Sequence, residues 1–167
     1  MPILNEQMLD IISHGEAQTR RLGAHLAELL SPSQVIALVG GLGTGKTRFA
    51  QGVGRGLGVQ EAIVSPTFTL IREYRGENIP LPLFHIDLYR LQDTADMLTL
   101  GLDEYLYGDG VCLIEWADRL AGNQLPVEHL LINFRYLDQN KRGLLFQPSG
   151  SHYETLLRDF RRKAYGV

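Results

Sequence analysis

Apolar residues recur along this chain at two spacings, and each spacing predicts a different element. Between Glu16 and Leu30 they fall at Ala17, Leu22, Leu26, Leu29 and Leu30, close to a helical period, and Ser31-Pro32-Ser33 ends the run. Val35 to Val39 is a short unbroken apolar stretch, the pattern of a strand buried on both faces. A glycine-rich turn follows, and Thr47 to Leu57 predicts a helix that stops at Gly58. Thr67 to Tyr74 and Leu81 to Tyr89 alternate as strands do, and Arg75-Gly76-Glu77-Asn78 between them predicts neighbouring strands joined by a turn. Asp93 to Tyr107 predicts a helix running through Gly101, and Val111 to Glu115 a second buried strand. Late strands are predicted over Glu128 to Tyr136 and Gly143 to Gln147. A terminal helix over His152 to Ala164 carries Arg158, Arg161, Arg162 and Lys163.

No repeat, linker or low-complexity tract breaks this order, so residues 1–167 read as a single domain of mixed α/β type. Composition adds an exclusion. Sixteen basic against nineteen acidic side chains give a formal charge of −3, which disfavours a protein that grips nucleic acid unaided. The one cysteine, Cys112, has no internal disulfide partner and lies in a run that reads as buried strand, which fits a reduced setting. The N-terminal residues show no cationic start followed by an apolar stretch, and no apolar run approaches the ~18 residues of a membrane span, so a cytoplasmic protein is expected.

The turn after the first buried run carries the chemistry. Gly40-Gly41-Leu42-Gly43-Thr44-Gly45-Lys46-Thr47 satisfies G-x-x-x-x-G-K-[ST], between a predicted strand and a predicted helix as the phosphate-binding loop requires. The glycines at 40, 41, 43 and 45 are expected to take positive φ and turn backbone N–H groups around phosphate oxygens, helped by the positive end of the helix. Lys46 then serves the β- and γ-phosphates of a nucleotide and the Thr47 hydroxyl ligates Mg2+. The nucleotide-binding set is Gly41, Gly43, Thr44, Gly45, Lys46, Thr47 and the adjoining Arg48. Such a loop needs a carboxylate at the end of a neighbouring buried strand, and two qualify: Glu115 after Val111-Cys112-Leu113-Ile114, and Asp87 late in Leu83 to Arg90. Capping of a following helix is the alternative for either. Ser65-Pro66-Thr67-Phe68-Thr69 is the candidate switch segment, with a turn entering a strand as its plainer reading. The expected fold is a P-loop NTPase-like three-layer sandwich with a mixed, mainly parallel central sheet, a single P-loop ATPase domain.

Guanine specificity is not expected. Asn140-Lys141 continues Arg142-Gly143 without the aspartate of a guanine-reading segment, and no Asp is followed three residues later by Gly. Four blocks then carry a family resemblance: Gly40 to Thr47, Ser65 to Leu70, His85-Ile86-Asp87-Leu88-Tyr89-Arg90, and Ile114-Glu115-Trp116. In order and spacing they resemble the TsaE (YjeE) family over about residues 13 to 147. The resemblance implies an ATPase of bacterial tRNA threonylcarbamoyladenosine synthesis that acts with TsaB and TsaD and reaches tRNA through them. It implies that Lys46, Thr47 and Glu115 serve nucleotide and metal, that Asp87 takes part in hydrolysis, and that Trp116 lies beside the nucleotide. Thr19 matches a segment near the adenosine and Arg142 a late basic residue. Gly41, Arg48 and Ala117 depart from the family pattern, at positions usually held by an acid, a threonine and a proline. The expected mechanism is magnesium-dependent ATP hydrolysis, slow in isolation, with Lys46, Asp87, Glu115 and Thr67 as catalytic residues and Thr47 and Glu115 as metal ligands. A nucleotide-dependent interaction switch and a small-molecule kinase are the rival readings.

Overall fold

The structure is a computed structural model that describes residues 7–64, 70–91, 101–120 and 124–166. The described elements in chain order are β1 (Leu9–Ser13), α1 (Glu16–Ala27), β2 (Val35–Val39), α2 (Lys46–Gly56), β3 (Ile71–Gly76) and β4 (Ile79–Asp87). They continue with α3 (Leu102–Leu106), β5 (Val111–Glu115), a 3₁₀ turn (Ala117–Arg119), β6 (His129–Tyr136), β7 (Arg142–Ser149) and α4 (Ser151–Tyr165). The strands form one seven-stranded sheet in the order β1-β7-β6-β2-β5-β4-β3. The central pairs β6·β2, β2·β5 and β5·β4 are parallel, and the flanking pairs β1·β7, β7·β6 and β4·β3 are antiparallel.

Alternation along the central strands divides the core into two layers. Ile36 and Leu38 of β2, Leu83 of β4, and Val111 and Leu113 of β5 pack on the face covered by α1, α2 and α4. Val35, Ala37, Phe84, Ile86, Cys112 and Ile114 pack on the other, with Leu102 and Leu106 of α3 and Ala117 of the 3₁₀ turn. Helices on both faces of a mainly parallel centre make the mixed α/β sandwich that the sequence predicts. On the first face the rings of Phe49, Phe134 and Phe146 meet edge-on, with centroids 5.7 and 6.3 Å apart, beneath the start of α2. The closest helix contact is α1 on α2, where a Cβ on Gly52 would stand 1.9 Å from the Arg20 carbonyl oxygen, so only glycine fits.

Some boundaries differ from the sequence reading for local reasons. The first helix ends at Ala27 rather than Leu30, because Leu29 and Leu30 turn back to hydrogen-bond Leu26 and Ala27. A helix running through Gly101 is not formed: Gly101 has φ +62 and caps α3, which begins at Leu102. The earlier part of that expectation, residues 92–100, lies outside the described residues, as do 65–69 of the expected strand and switch segment. The edge strand β1 has no counterpart in the sequence reading. Only Ile11 and Ser13 of its five residues are buried, too little apolar signal to register. On α4 Lys163 pairs with Glu28, while Arg158, Arg161 and Arg162 lie exposed. No helix among the described residues is long and apolar enough to cross a membrane.

Candidate functional site

The carboxyl ends of β2, β5 and β4 lie side by side in the sheet, and the site is built from the residues immediately beyond them. The loop from Gly40 to Gly45 leaves β2 and delivers Lys46 and Thr47 as the first residues of α2. Gly40, Gly43 and Gly45 have positive φ, at +145°, +74° and +104°. Gly41 does not, which corrects that part of the expectation: its carbonyl is instead bonded to Thr44 Oγ1 at 2.7 Å and Lys46 Nζ at 2.8 Å. Lys46 Nζ also donates to the Gly40 carbonyl at 2.6 Å. The loop thus turns two carbonyl oxygens onto its own lysine. Burial holds the Lys46 ammonium below the usual lysine range, opposed by the charges of Glu115, Asp87 and Asp118.

The two strand-end acids meet here. Parallel pairing puts Asp87 opposite Glu115, and period-two alternation aims both toward the face that carries α2. Asp87 is 8% exposed and Glu115 2%, so neither is an ordinary surface acid. Glu115 Oε1 accepts a hydrogen bond from Thr47 Oγ1 at 2.9 Å. Glu115 is therefore tied across the sheet rather than spent on capping. Asp87 Oδ1 accepts the Tyr89 N–H at 2.9 Å, shaping the turn after β4.

These residues line one cleft of about 590 Å³, together with Gly15, Glu16, Thr19, Leu42 to Arg48, Leu70, Tyr89, Arg90, Trp116, Gln139, Asn140 and Arg142. The volume is in the range of small-molecule sites. Thr19, buried and bonded to Ser13 Oγ at 2.7 Å, packs beneath Gly45. Arg142 closes the opposite rim, with Nε donating to the Gly43 carbonyl at 3.0 Å and the guanidinium stacked on Tyr136 at 4.6 Å. Arg48, also on the lining, pairs with Glu16 at 3.4 Å. Thr67 lies outside the described residues. Trp116 follows Glu115 with φ +59°, a left-handed conformation costly for a bulky residue, and its ring sits 4.2 Å from Lys46 Nζ.

Oxygen donors suit a hard cation, and the described residues contain no group of three or more His, Cys, Asp and Glu able to hold a metal. A cation at Thr47 and Glu115 thus needs further ligands from phosphate and water, the usual arrangement for Mg2+ on a nucleotide. The donor set fits the ion.

Against known proteins, the family model described as threonylcarbamoyl adenosine biosynthesis protein TsaE matches residues 13–144. The chain belongs to the TsaE family. Among the family's curated proteins, the tRNA threonylcarbamoyladenosine biosynthesis protein TsaE of Bacillus subtilis (strain 168) is 41% identical over 145 residues, covering 87% of this chain and 89% of that one. TsaE of Treponema pallidum (strain Nichols) is 42% identical over 133 residues, covering 80% of this chain and 96% of the relative. A crystal structure of YdiB from Bacillus subtilis superposes with a TM-score of 0.81 at 36% identity, covering 94% of this chain and 96% of that chain.

Sequence reasoning left two residues behind the cleft lining unassigned. His85, fully buried two residues before Asp87, touches Glu115 at 2.6 Å. Its signal was present, since residues i and i+2 of a strand share a face. Arg119, stacked on Tyr89 and Trp116 at 5.6 and 5.7 Å, carries no signal in the sequence, because the 3₁₀ turn after Trp116 is what aims it there.

Proposed function

We propose that this TsaE-family protein binds and hydrolyses ATP with Mg2+ in the formation of threonylcarbamoyladenosine on tRNA, as a cytoplasmic component acting with TsaB and TsaD. The observation that carries the nucleotide reading is the 2.9 Å bond between Thr47 Oγ1, at the helix start of a phosphate loop, and the buried strand-end Glu115. The place in tRNA modification is supported by what the relatives are, tRNA threonylcarbamoyladenosine biosynthesis proteins over most of the chain.

In this reading Lys46 leaves the Gly40 and Gly41 carbonyls and donates to the β- and γ-phosphate oxygens, where its charge opposes that developing on the transferred phosphoryl. The amides of the loop and of the first turn of α2 hold the same oxygens. Thr47 and Glu115 would hold Mg2+, which would supply positive charge against the phosphates. Asp87, level with Glu115 on the next strand, orients the attacking water and takes its proton. The water oxygen bonds to the γ-phosphorus as the bond to the bridging oxygen breaks, releasing ADP and inorganic phosphate. Thr19, Trp116 and Arg142 border the nucleoside end of the cleft, and tRNA is met through the partner proteins, consistent with the net charge of −3.

The test is release of inorganic phosphate from ATP and Mg2+, alone and with TsaB and TsaD. Hydrolysis that Lys46→Ala abolishes and the partners raise is the expected result. Undiminished hydrolysis by Lys46→Ala, or phosphate recovered on a metabolite acceptor, overturns the assignment.

A further inference from the structure

Both oxygens of the Glu115 carboxylate meet side chains of the described residues. Oε1 accepts from Thr47 at 2.9 Å, and Oε2 lies 2.6 Å from His85 Nε2. His85 is 0% exposed and Glu115 2%, so no bulk water competes for this contact. The other ring nitrogen of His85, Nδ1, is also buried and has no hydrogen-bond partner among the described residues.

These facts select a tautomer. A carboxylate oxygen at this distance needs a donor, so Nε2 carries the proton. His85 is therefore a one-sided donor aimed at Glu115.

We propose that His85 is a positioning residue for the magnesium site: by holding Oε2, it presents Oε1 of Glu115 to Thr47 and the ion. The inference deepens the nucleotide reading and rests on it. A carboxylate torsion is broad and nearly two-fold, so each donor fixed on an oxygen narrows its lone-pair directions, and the His85 contact does this for Oε2. Asp87 stands opposite Glu115 in the β4·β5 pairing, and an anchor on Oε2 keeps the two acids from sharing one position. The same strand supplies both parts, since His85 and Asp87 share one face of β4 two residues apart.

The experiment is calorimetric titration of the full chain with ATP, once with MgCl2 and once with EDTA, for the unaltered protein and for His85→Leu, His85→Asn and His85→Gln. The Gln amide reaches to where Nε2 sits, whereas the shorter Asn amide overlays Nδ1. Magnesium should tighten binding to the unaltered protein and to His85→Gln. For His85→Leu and His85→Asn that tightening should shrink by about 10- to 100-fold, the usual effect of losing an outer-shell partner, with affinity in EDTA unchanged. The Asn and Gln pair alone decides the matter if His85→Leu does not fold. Full magnesium dependence in His85→Asn, or equal losses with and without metal, overturns the role of His85. Absence of metal-dependent ATP binding in the unaltered protein overturns the nucleotide reading, and this inference with it.

Discussion

Lys46 Nζ lies 4.2 Å from the centroid of the Trp116 ring while its hydrogen bonds go to the carbonyls of Gly40 and Gly41. Lys46 Nζ also lies 3.5 Å from Thr44 Oγ1, and under the proposed function a nucleotide displaces the ring and both carbonyls from the ammonium. The ring contact accounts for about 1 kcal/mol of that exchange. Trp116 is the only tryptophan in the chain, so its emission reports the displacement. ATP is expected to change the fluorescence of the unaltered protein. Lys46→Met should shift the emission of the free protein and remove the ATP-dependent change; a full ATP response in that variant would show that the contact is not what the nucleotide breaks.

Asp87 has a structural and a proposed chemical part, and the two separate by substitution. Its Oδ1 accepts the Tyr89 N–H at 2.9 Å, a bond that an asparagine oxygen also accepts. Asp87→Asn should therefore keep its melting temperature and bind ATP within a few-fold of the unaltered protein, while phosphate release falls by roughly 10² to 10⁴. Asp87→Ala should in addition lose about 1 kcal/mol of stability in urea unfolding. Normal turnover by Asp87→Asn would leave Asp87 a turn residue only.

Two glycines of similar appearance in the sequence should behave oppositely. At Gly52 an added Cβ meets the Arg20 carbonyl oxygen at 1.9 Å, and backbone on both sides must move. Gly52→Ala should cost about 1–3 kcal/mol, as overpacking does, and, under the proposed function, weaken ATP binding because α2 begins at Lys46. At Gly41 a Cβ meets nothing within 4 Å and φ is not positive. Gly41→Ala should change stability by less than about 0.5 kcal/mol. Denaturant midpoints for the two variants decide it.

Burial pushes the Cys112 thiol up to about 12 from an ordinary 9.0. The folded chain keeps this proton where the unfolded chain loses it. Cys112 therefore leaves stability unchanged below pH 9, and lowers it by about 1.4 kcal/mol per pH unit between 9 and 12. Cys112→Ala should show a shallower decline over that window in urea unfolding at stepped pH. The native thiol should stay silent to a thiol reagent at pH 8 and react on unfolding. Equal slopes, or prompt labelling of the native protein, would count against the buried, protonated state.

The blocks that proved most readable were those whose signal is local. The run Val35 to Val39 is a strand with the bounds read from hydropathy, and the loop Gly40 to Lys46 opens a helix where the motif requires one. Less readable were elements whose signal is weak or divided. β1 buries two residues of five, and the helix expected through Gly101 depends on a backbone angle that hydropathy does not encode. Within the loop, Gly41 has the same composition signal as its neighbours but lacks their positive φ, and its carbonyl is engaged by Thr44 and Lys46.

By itself the sequence determined that a glycine-rich loop with the pattern of a phosphate loop joins a buried strand to a helix, and that two other buried strands end in acids. It also determined that His85 and Asp87 share a face, because side-chain direction along a strand repeats every two residues. What only the tertiary structure decided is which strand stands beside which. Placing β5 between β2 and β4 brings Glu115 to Thr47, 68 residues away, and sets His85 against the same carboxylate 30 residues away. Periodicity acts over a few residues, whereas neighbours in a sheet are chosen by the burial of both faces against helices from elsewhere in the chain. The acids were legible as candidates, and their geometry belongs to the fold.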